Sequence, residues 1–197
     1  IISSVVPKTF SKIKKIFYNL YKVKCVELKK LNLTRLINIK VNKKEIGSDR
    51  LANAISVISK KKNFIVVDFG TATTFDVIKK NNYLGGVIAP GVALSLDNLI
   101  KKASLIPNIE LHKSKSIIGK NTKQAVLSGF FWGYNGLING IISKIKKKTN
   151  QKYKIIFTGG LAHLFNKDIK DKVTIDKNLT INGLIKVSKH FNLWKMN

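Results

Sequence analysis

The sequence predicts an α/β fold, and three observations carry that prediction. First, Phe64 to Ile78 reads FIVVDFGTATTFDVI: a short apolar β-branched run, a glycine–threonine turn and a second strand folding back as a hairpin. Second, two later segments, IIGKNTKQAV and the strand Lys154 to Thr158 entering Thr158-Gly159-Gly160, each lead through a glycine and a polar turn into a helix. Third, apolar residues recur at helical spacing over Thr9 to Tyr21 (positions 10, 13, 16, 17, 20 and 21), with lysines on the opposite face.

The hairpin organises the rest. Its first strand ends on Asp68, followed by Phe69, Gly70 and the hydroxyls of Thr71, Thr73 and Thr74. Gly70 permits a positive φ and a close ligand approach. Threonine hydroxyls and turn N–H groups there can donate to phosphate oxygens. The same threonines can instead satisfy their own turn.

Length and composition bound the function classes. A chain of 197 residues forms one domain or two small ones, and the lysine run at 60–62 is the best boundary. That gives segments 1–62 and 63–197. The single cysteine, Cys25, excludes an internal disulfide framework and suits a reducing, cytoplasmic setting. His112, His163 and His190 are scattered, without zinc-site spacing. The net charge of +27 raises a nucleic-acid hypothesis. Only Arg35 and Arg50 are arginine, however, and the 35 lysines spread along the whole chain. Base readout and phosphate clamping favour arginine's planar fork. The lysines therefore read as compositional drift rather than a selected binding stripe, which makes nucleic acid the less favoured partner.

The remaining elements follow in order. Ile1 to Val6 reads as a strand stopped by Pro7, Val23 to Leu28 as another, and Leu36 to Val41 as a further short one. Gly47 or Ser48 opens a helix with an apolar face of Leu51, Ala54, Ile55 and Ile58, which puts Asp49 and Arg50 in its first turn beside free N–H groups. Tyr83 to Gly91 (YLGGVIAPG) carries three glycines and a proline, and so is expected to bend tightly or lie against a ligand. A helix is expected over Ala93 to Ala103, and Asn121 or Thr122 should cap a long one over 123–147. Glycines at 129, 133, 136 and 140 line one face of that helix, where another helix can approach closely. A membrane span is the rival reading, opposed by Asn135, Asn139, Ser143 and Lys144. Asn178 to Leu184 and an amphipathic tail to Trp194 finish the chain.

Seven stretches in order give a family likeness: SSVVP (3–7), GSDRLANA (47–54), VDFGTATTFDV (67–77), LGGVIAPG (84–91), IGKNT (118–122), SGFFWGYNGL (128–137) and TGGLA (158–162). Together they resemble the type III pantothenate kinases, of the superfamily shared by actin, sugar kinases and heat-shock ATPases. The resemblance implies two ribonuclease-H-like (actin-like ATPase) domains, each a mixed sheet flanked by helices. The family's aspartate–glycine–asparagine–threonine phosphate turn lies upstream of SSVVP, which implies an incomplete first domain. It further implies ATP-dependent phosphorylation of pantothenate in coenzyme A synthesis by a homodimer, with a monovalent cation (K+ or NH4+) and Mg2+ accompanying the nucleotide. By position, Asp49 matches the family's proton acceptor, and Gly47, Ser48, Asp49 and Arg50 its pantothenate segment. Thr122 matches a second pantothenate contact, Thr71 an ATP contact and Asp68 a potassium ligand. Thr158, Gly159 and Gly160 match the nucleotide-side glycine turn.

The chemistry of these residue types is consistent with that likeness. Phosphoryl transfer needs positioning and charge neutralisation more than covalent help. An aspartate held by N–H groups at a helix start can accept a hydroxyl proton, Arg50 can steady a carboxylate or phosphate, and Asp68 offers hard oxygen to a cation. Each also has a plain structural use: dipole partner for Asp49, surface ion pair for Arg50, turn acceptor for Asp68, local cap for Thr71 and Thr122. Two other readings stand beside the kinase: a catalytically inactive binding or regulatory module on the same fold, and a basic nucleic-acid-binding protein.

Overall fold

The computed structural model describes residues 1–4 and 7–193. It divides into two compact units, one of Ile1–Lys62, Asp76–Gly85 and Asn178–Asn197, the other of Asn63–Phe75 and Gly86–Lys177.

In the first unit, α1 (Pro7–Tyr21) and α2 (Ser48–Val57) form where the helical spacing predicts them. Gly47 is the N-cap of α2, and the helix stops at Val57, before the lysine run. The apolar face of α1 is largely open, with Ile16, Phe17, Leu20 and Tyr21 exposed. The helix α6 (Leu179–His190) packs on α2. Gly183 permits this approach: a Cβ there would sit 1.9 Å from the Ala52 carbonyl oxygen. Thr180 Oγ1 also donates to Asn53 Oδ1 at 2.6 Å. Leu51, Ala52, Ala54, Ile55, Leu179 and Val187 are all buried.

Three strand expectations shrink in this unit. Of Ile1 to Val6, Ile2 makes only an isolated parallel bridge to Glu27, while Val5 and Val6 lie outside the described residues, as does Trp194 of the tail. The expected strand Val23 to Leu28 is otherwise absent; Val23 is exposed and the chain turns into a 3-10 helix at Leu28–Lys30. Leu36 to Val41 shortens to β1 (Asn38–Ile39), which pairs in parallel with the start of β4 (Asn82–Pro90), Asn38 opposite Asn82.

In the second unit, β2 (Asn63–Phe69) and the start of β3 (Ala72–Lys79) form the expected hairpin around Gly70 and Thr71. A two-residue turn between neighbouring strands makes them antiparallel. On its other side β2 pairs in parallel with β5 (Lys154–Gly159), Asp68 opposite Thr158, and β5 pairs in parallel with β6 (Val173–Ile175). The sheet is therefore mixed. Gly70 does not use a positive φ; among the described glycines only Gly85 (113°) and Gly159 (86°) do. The YLGGVIAPG stretch does not bend but runs through as β4, and it is Gly91, the N-cap of α3 (Val92–Lys102), that meets close backbone. A Cβ on Gly91 would sit 2.3 Å from the Thr71 carbonyl oxygen.

The longest helix, α4 (Thr122–Thr149), is capped by the Asn121 side chain on the Gln124 N–H at 2.9 Å and ends on Asn150 in the left-handed region. Its buried face (Phe131, Ile138, Ile142) joins Ile65, Val67, Phe69, Phe157 and Phe165 in one core. Phe165, from the short helix α5 (Ala162–Phe165), stacks on Phe69 with ring centroids 5.4 Å apart and on Phe131 at 5.9 Å. No helix among the described residues is long and apolar enough to cross a membrane.

Candidate active site

The expected site residues fall into two constellations, one in each unit. In the first unit, the turn before α2 places Asp49 in the opening turn of the helix, where its Oδ1 accepts the Arg50 backbone N–H at 2.8 Å. Asp49 and Arg50 are half-buried. Ser48 is buried: its hydroxyl donates to the Ser4 carbonyl at 2.9 Å and accepts from the Ser3 hydroxyl at 2.9 Å. The side chain that resemblance assigns to substrate thus ties the N-terminal segment to α2. Gly47 and Ser48 line a cavity of about 540 Å³ whose polar wall includes Lys14, Lys29, Glu27 and Glu45.

Arg50 leads to a residue that sequence reasoning assigned no role. Its Nε donates to Asp76 Oδ1 at 2.9 Å, and its Nη2 lies 2.7 Å from the same oxygen. The Tyr83 hydroxyl donates to that oxygen as well, at 2.7 Å. The Asp76 side chain is fully buried and that of Arg50 is 14% exposed. Among the described residues Oδ2 of Asp76 has no hydrogen-bond partner. Burial pushes the Asp76 carboxyl up from its ordinary 3.8 to about 6, while Arg50 and the Tyr83 hydroxyl pull the other way. Burial also raises the Tyr83 hydroxyl, and Asp76 adds to that. For Arg50, burial works against the charge but Asp76, Tyr83 and Asp49 more than offset it, and its pKa rises. A lone carboxylate inside the apolar run Phe75-Asp76-Val77-Ile78 was the available signal, since a buried charge needs a partner.

In the second unit, Asp68 ends β2 beside Thr158. Gly159 passes the carboxylate so closely that a Cβ on it would sit 2.7 Å from Asp68 Oδ1 and 2.6 Å from the Phe69 carbonyl oxygen. Only a glycine lets the turn pack this closely, and the packing sets the Asp68 carboxylate and the Phe69 carbonyl, both hard oxygen donors, side by side. Among the described residues no group of three His, Cys, Asp or Glu is placed to hold a metal. Thr71 is exposed at the hairpin turn, and its carbonyl accepts the Gly91 N–H at 3.2 Å. The buried hydroxyls of Thr73 and Thr74 have no partner among the described residues.

Thr122 is exposed as the first residue of α4. The loop before it is held by its own bonds, Lys120 N–H to Gln124 Oε1 at 2.9 Å and Ser128 hydroxyl to the Ile117 carbonyl at 2.5 Å. Gly119 is required there, since a Cβ would sit 2.2 Å from the Ala125 nitrogen. The four glycines of α4 are exposed, and a Cβ on any of them would meet nothing within 4 Å.

Comparison with known proteins gives consistent likenesses. Residues 1–144 match the family model described as type III pantothenate kinase. A type III pantothenate kinase of Pelagibacter ubique is 62% identical over 185 residues, covering 94% of this chain and 75% of that protein. One of Citrifermentans bemidjiense is 40% identical over 186 residues, covering 93% and 73%. Among solved structures, a Campylobacter jejuni protein described as belonging to the Baf family of transcriptional activators superposes with a TM-score of 0.65 at 23% identity, covering 92% of this chain and 79% of that one. A Sinorhizobium meliloti protein described as a 2-dehydro-3-deoxygalactonokinase gives 0.52 at 11% identity, covering 73% and 59%. These structural likenesses concern the fold alone: an α/β mixed sheet flanked by helices.

Proposed function

The chain belongs to the type III pantothenate kinase family, and from that membership and the constellation around Asp49 we infer how it works. It is a phosphotransferase that phosphorylates pantothenate with ATP, at the entry to coenzyme A biosynthesis. Asp49 is the proton acceptor, taking the proton of the substrate's primary hydroxyl as that oxygen attacks the γ-phosphorus in line. The observation that carries this reading is the place of Asp49: a carboxylate in the opening turn of α2, next to an arginine anchored on a buried carboxylate.

Gly47, Ser48 and Arg50 shape the substrate end, with Arg50 supplying positive charge to an anionic group of the substrates. Thr122 makes a second substrate contact and Thr71 an ATP contact. Asp68 holds a monovalent cation, K+ or NH4+, beside the close-packed turn at Gly159. That cation and Mg2+ offset the charge of the triphosphate when bound. The bare glycine face of α4 packs against a second copy, giving a homodimer; four glycines cost roughly 0.5–1 kcal/mol each relative to alanine, which calls for a packing use.

The test is an assay with pantothenate, ATP, Mg2+ and K+ or Na+. Phosphopantothenate formation with a preference for K+ supports the reading. Transfer to water alone, with no acceptor dependence, contradicts it.

A further inference from the structure

The contact between Arg50 and Asp76 has a direction that neither charge balance nor stability requires. The Nε and Nη2 groups of Arg50, one edge of the planar guanidinium, both face Asp76 Oδ1. Tyr83 donates to this same oxygen from β4, while Asp76 stands on the neighbouring β3. Three donors therefore locate one oxygen, on a rigid sheet, and the other oxygen takes none among the described residues. Arginine has five N–H donors in a fixed fork, and this edge contact leaves the Nη1 hydrogens, on the opposite side, outside the Asp76 contact. A buried ion pair is weak support for stability, because well-packed apolar residues of similar volume often serve as well or better. What such a pair supplies is orientation.

We propose that Asp76 and Tyr83 are positioning residues that fix the guanidinium of Arg50, so that its outer edge stands preset for an anionic group of the substrates. This rests on the kinase reading above and deepens it. The anion is either the carboxylate of pantothenate or the transferring phosphoryl group; both are planar or near-planar oxyanions that a guanidinium edge binds in the same way. The two sources separate in kinetics. Pre-orientation matters because side-chain freedom lost on binding weakens affinity, and a mobile Arg50 would have to lose it.

The experiment combines a spectroscopic and a kinetic readout on the wild-type chain, Tyr83→Phe, which removes one hydroxyl and keeps the ring, and Asp76→Asn, which keeps the shape. Because the chain has only two arginines, Arg35 and Arg50, Arg50→Lys assigns the Arg50 Nε–H resonance in a nitrogen-15 spectrum without ambiguity. The wild type should show this proton slow to exchange with water; Tyr83→Phe should speed its exchange about tenfold and Asp76→Asn further. This readout does not depend on turnover. In the assay, Tyr83→Phe should raise KM for pantothenate by about tenfold, with kcat and the KM for ATP near wild type, if the carboxylate is the anion. The preference for pantothenate over pantothenol, which carries an alcohol instead of the carboxylate, should shrink by the same factor. If the phosphoryl group is the anion, kcat falls and that preference stands. Either pattern supports the proposal. An Arg50 Nε–H unchanged in both variants overturns it, as does turnover unchanged in both with only the melting temperature lowered. In either of those cases the wild type still phosphorylates pantothenate; a wild-type chain that does not phosphorylate pantothenate, yet shows the exchange pattern, removes the kinase reading and leaves the positioning of Arg50 supported.

Discussion

Gly159 and Asp68 are in contact through an absence: the turn after β5 passes the carboxylate at a distance that leaves no room for a Cβ, which would lie 2.7 Å from Oδ1. Gly159 also holds φ at 86°, a region that side-chain-bearing residues rarely occupy. Gly159→Ala should therefore lower the unfolding free energy by ~1–3 kcal/mol, measurable by urea titration. Because relieving the clash must displace the Asp68 carboxylate or the turn itself, the same variant should require more K+ for half-maximal turnover. Wild-type K+ dependence in a destabilised variant would separate the turn's structural role from cation binding.

The folded-state pKa of Asp76, about 6, lies above its ordinary value of 3.8 because of burial. Its protonated form is thus favoured by folding, so its contribution to stability is complete below about pH 4 and fades as pH rises through about 6. The unfolding free energy of the wild type minus that of Asp76→Asn should fall across this window. A difference that rises instead would mean that attraction to Arg50 outweighs the cost of burial.

The glycine face of α4 gives opposite expectations for a chain alone and a chain in a dimer. Nothing lies within 4 Å of a Cβ placed on Gly136. In an isolated chain, Gly136→Ala should stabilise by ~0.5–1 kcal/mol, since alanine is the better helix former. Where a second copy packs on this face, Gly136→Leu should shift sedimentation from dimer to monomer without lowering the monomer's own stability. Wild type sedimenting as a monomer would end the dimer proposal.

Gly183 is the counterpart on a face that is filled. A methyl there meets the Ala52 carbonyl oxygen at 1.9 Å, which the backbone of α2 must move to relieve. Gly183→Ala should cost ~1–3 kcal/mol by thermal or urea unfolding, as overpacking does. Because α2 carries Asp49 and Arg50, it should also lower turnover more than a surface variant of equal stability.

The two glycine predictions show what the sequence could and could not tell. Spacing alone made the α4 glycines a packing face and gave Gly183 no special place, yet Gly183 is the one with backbone against it. The strand–turn segments around Asp68 and Gly159, and the helix start holding Asp49, were legible because β-branched runs, glycines and first-turn acids act locally. Asp76 was not, because its partners Arg50 and Tyr83 come from a helix and another strand, and only the fold brings them to one oxygen. The short strands β1 and β6 were illegible or overextended for a related reason: two or three residues pair only where a neighbouring strand is already present. The freedom to take a positive φ, which Gly70 has, is used among the described glycines by Gly85 and Gly159.

The central claim is that Asp49 takes the proton from the attacking hydroxyl, and Asp49→Asn tests it most directly. The asparagine keeps the size of the side chain and can still accept the Arg50 N–H that Asp49 accepts at 2.8 Å. With pantothenate, ATP, Mg2+ and K+ supplied, kcat should fall by about 10²–10⁴ while the KM for pantothenate changes little. A variant that turns over at the wild-type rate would contradict the assignment.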